Sequence, residues 1–116
     1  MGKLSTHVLD TTRGRPAAGL ELDLYRLDEA GQHHLGRFAT NRDGRTDAPL
    51  LAGEALTAGV YQLEFHAGAY LRALGLELPE PPFLETIPIR FGVAAGASYH
   101  VPLLLSPYGY STYRGS

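Results

Sequence analysis

The sequence has no cysteine and no tryptophan, a single methionine, and no long apolar run. Each absence removes a class of protein. Without cysteine there is no disulfide framework, no thiolate nucleophile and no cysteine-ligated zinc. The apolar runs fall well short of the ~18 residues that a membrane-spanning helix requires. An excess of one charge is lacking too: 12 acidic against 10 basic residues leave a net charge of -2. Nucleic acid and anionic membranes both call for a concentrated basic patch, so neither is expected as a partner. Glycine-rich phosphate loops and a Gly-x-Ser-x-Gly nucleophile elbow are also missing. The opening "MGKLSTHVLD" runs straight into strand-like sequence with no apolar signal core, and the expectation is a soluble, cytoplasmic protein.

What is present has the size of one domain with one core, residues 1–116. Apolar residues recur at period two between turn residues, so strands dominate. "LSTHVLD" (Leu4 to Asp10) sets Leu4, Thr6 and Val8 on one face against Ser5, His7 and Leu9 on the other. "TTRGRPAAG" reads as a connection, because Gly14, Pro16 and Gly19 suit no strand interior. "LELDLYRL" (Leu20 to Leu27) faces Leu20, Leu22, Leu24 and Arg26 one way, and "DEAG" turns it into "QHHLGRFAT". "VYQLEFH", "TIPIRFGVA", "SYHVPLLLS" and "YGYSTYRG" complete the strands. "AGAYLRALGLE" is the one helical segment, with Tyr70, Leu74 and Leu78 on its packing side and prolines 79, 81 and 82 ending it. Seven or eight short strands predict an all-β antiparallel sandwich with one short helix. The final strand carries neither proline nor lysine to blunt its edge, which predicts pairing with a second copy of the chain.

Three residues stand out chemically. His7, between Thr6 and Val8, reads either as a hydrogen-bonded histidine at the rim or as a general base, since imidazole is mostly neutral at pH 7. His100 shares a face with Ser98, Pro102 and Leu104; a polar ring in so apolar a strand needs a partner or an opening. Arg45, after the Asp43-Gly44 turn, is either a solvated cation or a fork of donors for a planar carbonyl or carboxylate. His33 and His34 are neighbours in a strand and point to opposite faces, so the two rings do not share a metal ion. His66 adds no ligand spacing. The tail "YGYSTYRGS" favours strand yet is poor in aliphatic residues; alternation puts Tyr113 with Ser111 and opposes them to Tyr110, Thr112 and Arg114.

"LSTHVLDTTRGRPAAG", "GRTDAPLL", "YQLEFHAGAYLRA", "FLETIPIRFG" and "YHVPLLLSPYGYSTYRGS" together resemble the transthyretin-related 5-hydroxyisourate hydrolase family over essentially the whole chain. The terminal "YRGS", in register with the other segments, is the most specific mark, and Tyr108 departs from the tryptophan that members often carry there. The resemblance implies a transthyretin-like sandwich of two four-stranded antiparallel sheets and a homotetramer built as a dimer of dimers. Its active sites would lie in the channel between dimers. The reaction implied is hydrolysis of the cyclic amide of 5-hydroxyisourate to 2-oxo-4-hydroxy-4-carboxy-5-ureidoimidazoline, a step of urate breakdown, with neither metal nor organic cofactor. His7, Arg45 and His100 match the family's catalytic positions. His7, Arg45, Ser111, Tyr113 and Ser116 would bind the substrate, Ser116 through its hydroxyl or carboxylate. A transthyretin-type carrier of small aromatic ligands is the competing reading. Its channel would favour aliphatic surfaces over paired histidines.

Overall fold

A computed structural model describes residues 2–116. Among the described residues there are nine strands, β1 (Lys3–Asp10), β2 (Arg15–Pro16), β3 (Glu21–Asp28), β4 (Gly31–Ala39), β5 (Leu51–Ala52), β6 (Gly59–Phe65), β7 (Ile87–Val93), β8 (Tyr99–Ser106) and β9 (Gly109–Thr112), with one α-helix, α1 (Ala67–Ala73), and a single 3-10 turn at Gly53–Ala55. One sheet has the order β2-β1-β8-β9, with β5 also paired to the start of β1; the other has the order β4-β3-β6-β7. The alternation in β1 buries Leu4, Thr6, Val8 and Asp10, and Leu4 and Val8 join Leu22, Leu24, Leu63 and Phe65 of the second sheet in one apolar core. Val101, Leu103 and Leu105 of β8 close the same core. Burying each such aliphatic side chain stabilises the fold by about 1.5–3 kcal/mol. Thr6 avoids the cost of an unpaired hydroxyl by donating to the Val101 carbonyl at 2.7 Å.

The sandwich is as the alternation predicts, with three differences. The longest contact between the chain's two ends, β1 against β8, is parallel rather than antiparallel, with Leu4 opposite Tyr99 and Asp10 opposite Leu105. Side-chain alternation is the same in both directions, so it carries no information on strand polarity. The first sheet holds five strands rather than four, because Arg15–Pro16 and Leu51–Ala52 each pair briefly with β1. Pro16 is accommodated at that edge, where a missing amide donor breaks no ladder. The helix ends at Ala73, ahead of the prolines: Gly75, at φ +75°, supplies the left-handed residue that closes helices.

The two strand prolines are handled differently. Pro88 lies on β7, an edge strand. Pro102 lies inside the sheet, on β8, where Leu103 faces Thr112 and His100 faces Gly115. That register sets Pro102 opposite Tyr113, and with no proline N–H the ladder lapses there and resumes at Gly115. The Thr112 hydroxyl fills part of the gap by donating to the Pro102 carbonyl at 2.7 Å.

The helix is tied to the sandwich through a buried carboxylate. Asp10, 2% exposed, accepts from the Tyr70 hydroxyl at 2.7 Å and from the Arg13 amide and Nε, both at 3.1 Å. Burial pushes this carboxyl up, but the Tyr70 and Arg13 donors outweigh it and hold it below its ordinary value. No helix among the described residues is long and apolar enough to cross a membrane.

Candidate active site

Parallel pairing brings the two singled-out histidines onto one surface. Ser5 is opposite His100, and His7 is opposite Pro102. Thr6 and Val8 of β1 and Val101 and Leu103 of β8 point into the core, so Ser5, His7 and His100, none of them fully buried, lie on the other face; Pro102 shares that face by register but is itself buried. One strand over and two residues along puts the two histidine Cα atoms roughly 8 Å apart. Two rings on such a diagonal can reach one small planar molecule.

Arg45 arrives from a loop whose geometry is locked at both ends. Asn41 Oδ1 accepts from the Asp43 amide at 2.9 Å and the Arg45 amide at 3.2 Å, and the Asn41 amide donates to the Arg45 carbonyl at 2.7 Å. Gly44, at φ +75°, presses so closely on β1 that a Cβ there would run into the Val8 carbonyl and lie 3.2 Å from His7 Cδ2. The Gly44 carbonyl in turn accepts from the Val8 amide at 2.8 Å. Only glycine permits both the backbone angle and this approach. The turn is therefore a bracket that holds Arg45 beside His7, not a free surface loop. Arg45, Ser5, Thr6, Thr46, Asp47, Ala48 and Pro49 line a cavity of about 180 Å³.

The electrostatics of His100 follow from this assembly. Partial burial first, then the positive charges of Arg45 and of His7 when protonated, hold its pKa below the ordinary histidine value. A ring so placed is neutral at pH 7 and able to accept a proton. Its Nδ1 lies 2.8 Å from Ser5 Oγ.

The tail continues the same surface. The register places Ser111 opposite Leu104, Tyr113 opposite Pro102 and Gly115 opposite His100, all on the outward side. His7, Pro102 and Tyr113 thus form one row across the sheet; Ser5, His100 and Gly115 form the next. Arg114 takes the other side, its guanidinium 4.1 Å over the Tyr99 ring and donating to the Ser98 carbonyl at 3.1 Å. The register thus separates Ser111 and Tyr113 from Tyr110, Thr112 and Arg114 as alternation predicts, with both sets exposed in the single chain. The structure thus clusters His7, His100 and Arg45. Ser111 and Tyr113 lie farther out on the same face, and Ser116 is exposed beyond Gly115.

Three residues gained importance only in three dimensions: Ser5, Gly44 and Gly115. Ser5 was in phase with His7 in the sequence, but its pairing with His100 depends on a strand 95 positions away. The remaining histidines serve the second sheet. His34 and His66 both bring Nε2 to the Asp23 carboxylate, at 2.9 and 2.7 Å, and His33 brings Nε2 to Asp28 at 2.9 Å. Among the described residues no group of three or more His, Asp or Glu side chains is arranged to hold a metal ion.

Comparison with known proteins bears on the whole chain. The model of the HIUase/Transthyretin family matches residues 4–115. The 5-hydroxyisourate hydrolase of Mesorhizobium japonicum is 64% identical over 115 residues, covering 99% of this chain and 93% of that protein. Among solved structures, Klebsiella pneumoniae 5-hydroxyisourate hydrolase superposes with a TM-score of 0.81 at 37% identity, covering the whole of both chains. Sea bream transthyretin in complex with thyroxine superposes at 0.87 with 28% identity, covering 97% of this chain and 94% of that one.

Proposed function

The chain belongs to the HIUase/Transthyretin family, and on that footing we propose that it is a 5-hydroxyisourate hydrolase. The observation that carries the reading is the convergence of two imidazoles and one guanidinium on the outer face of a sheet. A planar, oxygen-rich, purine-derived substrate offers carbonyls and a partial negative charge to such a group. A carrier of apolar aromatic ligands has no use for a neutral histidine flanked by positive charge.

In this reading a water molecule attacks the ring carbonyl, its oxygen bonding to the carbonyl carbon. The carbon–nitrogen bond then breaks, and the departing nitrogen takes up a proton. His7 and His100 accept the water proton and return it to that nitrogen. The depressed pKa of His100 supports its starting neutral. Arg45 binds the substrate oxygens and stabilises the oxyanion as it forms, a role that suits its planar fork. Tyr113 orients the ring, with Ser111 and the Ser116 hydroxyl completing the polar wall. No metal or organic cofactor takes part.

We further propose a homotetramer, a dimer of dimers, with the site in the channel between dimers. Two observations support this: β9 is an edge strand without proline or lysine, and the candidate residues lie on an open sheet face. A cysteine-free chain needs no oxidising compartment, which fits the cytoplasm. The deciding experiment is incubation with freshly generated 5-hydroxyisourate, following its loss against spontaneous decay. Loss faster than the blank, in proportion to protein added, is the expected result; loss at the blank rate overturns the reading.

A further inference from the structure

We propose that Ser5 is a positioning residue for His100: its hydroxyl accepts the Nδ1 proton, selecting the tautomer whose Nε2 lone pair is free to act as base. The inference rests on the hydrolase reading for its chemistry but on the structure for its contact.

Three features of the molecule support it. Ser5 and His100 are direct partners in the parallel ladder and face the same way, so the 2.8 Å contact is set by the register of the sheet rather than by a chance rotamer. The opposite edge of the ring is also confined. A Cβ on Gly115 would sit 2.5 Å from His100 Cδ2, so the tail backbone flanks the carbon next to Nε2. With Ser5 on one edge and Gly115 on the other, the imidazole has little freedom to flip, and Nε2 is the nitrogen left for a ligand.

The choice of a hydroxyl is chemically specific. Which nitrogen of a neutral imidazole carries the proton is decided by the partner of the other nitrogen. When Ser5 accepts from Nδ1–H, Nε2 is the bare nitrogen and can take a proton from water. Once it has done so, the ring is cationic and the Nδ1–H contact becomes a charge-assisted hydrogen bond, which strengthens as the reaction proceeds. A carboxylate in place of Ser5 would do the same more strongly, but it would also raise the pKa of His100 and cancel the depression that keeps the ring neutral. The hydroxyl orients the base without charging it. Ser5 also borders, together with Arg45, the cavity between β1 and the loop that follows the Gly44 turn, so the residue that meets Nδ1 lies next to the space the cation lines.

The test compares the full-length protein with Ser5→Ala and Ser5→Thr. Nitrogen-15 shifts of the His100 ring, read without substrate, should report the Nδ1–H tautomer in the wild type and a shift towards Nε2–H in Ser5→Ala. Turnover of 5-hydroxyisourate should fall about tenfold in Ser5→Ala with KM nearly unchanged, the loss expected for one hydrogen bond that matters in the transition state. Ser5→Thr keeps a hydroxyl and should restore both the tautomer and most of the turnover. An unchanged tautomer in Ser5→Ala overturns the proposal, as does an undiminished turnover. Should the wild type fail to hydrolyse the substrate, the hydrolase reading falls, and the ring shifts alone still decide whether Ser5 orients His100.

Discussion

Gly115 lies against the imidazole of His100. Its amide donates to the His100 carbonyl at 2.7 Å, and the position its Cβ would occupy is only 2.5 Å from the ring's Cδ2. The tail is thus seated on the candidate base, and the seat has room for a hydrogen but not a methyl group.

Gly115→Ala should therefore move the ring or lift the tail. We expect kcat/KM to fall by about tenfold or more, because a small misplacement of a catalytic group is costly. The thermal midpoint should change little, since no core residue is touched. Kinetics and thermal melts on one preparation check this; normal kinetics would show that the ring tolerates the displacement.

The histidines and the arginine make separable predictions. His7→Asn and His100→Asn should each lower turnover by about a hundredfold or more while leaving the fold intact. Arg45→Gln should do something further. Removing a cation that disfavours protonated His100 should raise that residue's pKa towards the ordinary value of about 6.5. The acid limb of the activity profile should then move to higher pH. An NMR titration of His100 in the two proteins measures the shift directly, and identical curves would refute the coupling.

The lowered pKa also has a stability consequence. In the unfolded chain His100 binds its proton at about pH 6.5, whereas in the folded chain it does so only at lower pH. The unfolded state therefore holds more protons between the two values, and His100 costs stability as pH falls through that window. A His100→Asn variant should lose less stability on acidification from pH 7 than the wild type. Denaturant midpoints at several pH values test the sign.

Asp10 behaves oppositely. Its folded pKa is depressed, so its contribution is present above the unfolded value of about 3.9 and is lost as pH falls through the folded one. Tyr70→Phe removes the 2.7 Å donor and should cost about 1.5–3 kcal/mol at neutral pH, the range for hydrogen bonds to charged groups. Chemical denaturation of wild type and variant gives the difference; a cost near zero would mean that Arg13 alone satisfies the carboxylate.

Assembly and tail are tested together. Light scattering at micromolar concentration should report about four times the 12.5 kDa chain mass. Deleting Tyr113 to Ser116 should abolish most activity per folded tetramer while the circular dichroism remains that of a β protein. Tyr113→Phe should be milder, losing about 0.5–1.5 kcal/mol of transition-state binding. A truncated tetramer with full turnover would remove the tail from the site.

Much of this was legible in the sequence, for reasons that differ by element. The alternation of Leu4, Thr6 and Val8 against Ser5 and His7 gave the correct faces of β1, because burial on one side imposes period two whatever the partner strand. Tyr113 and Arg114 also fall on opposite faces as alternation predicts, although both are exposed and burial does not separate them. What alternation cannot carry is partnership between distant strands. Nothing near His100 states that it lies opposite Ser5, and nothing near Gly115 states that a ring presses on it. Those facts belong to register, which the whole sandwich decides. Arg15–Pro16 misled for a local reason: proline argues against a strand interior, yet an edge of two residues has no interior.

The β1–β8 ladder has a consequence for when the site comes into being. Ser5 meets His100 across 95 positions of chain. During synthesis β1 emerges first and has no partner on that side until β8 has been made. Closing so long a loop is slow compared with forming the local β3–β4 hairpin. The proposed site should thus be a late product of folding, and a chain interrupted before β8 would carry His7 and Arg45 without His100. Here the appearance of activity is itself a clock for the completion of the fold.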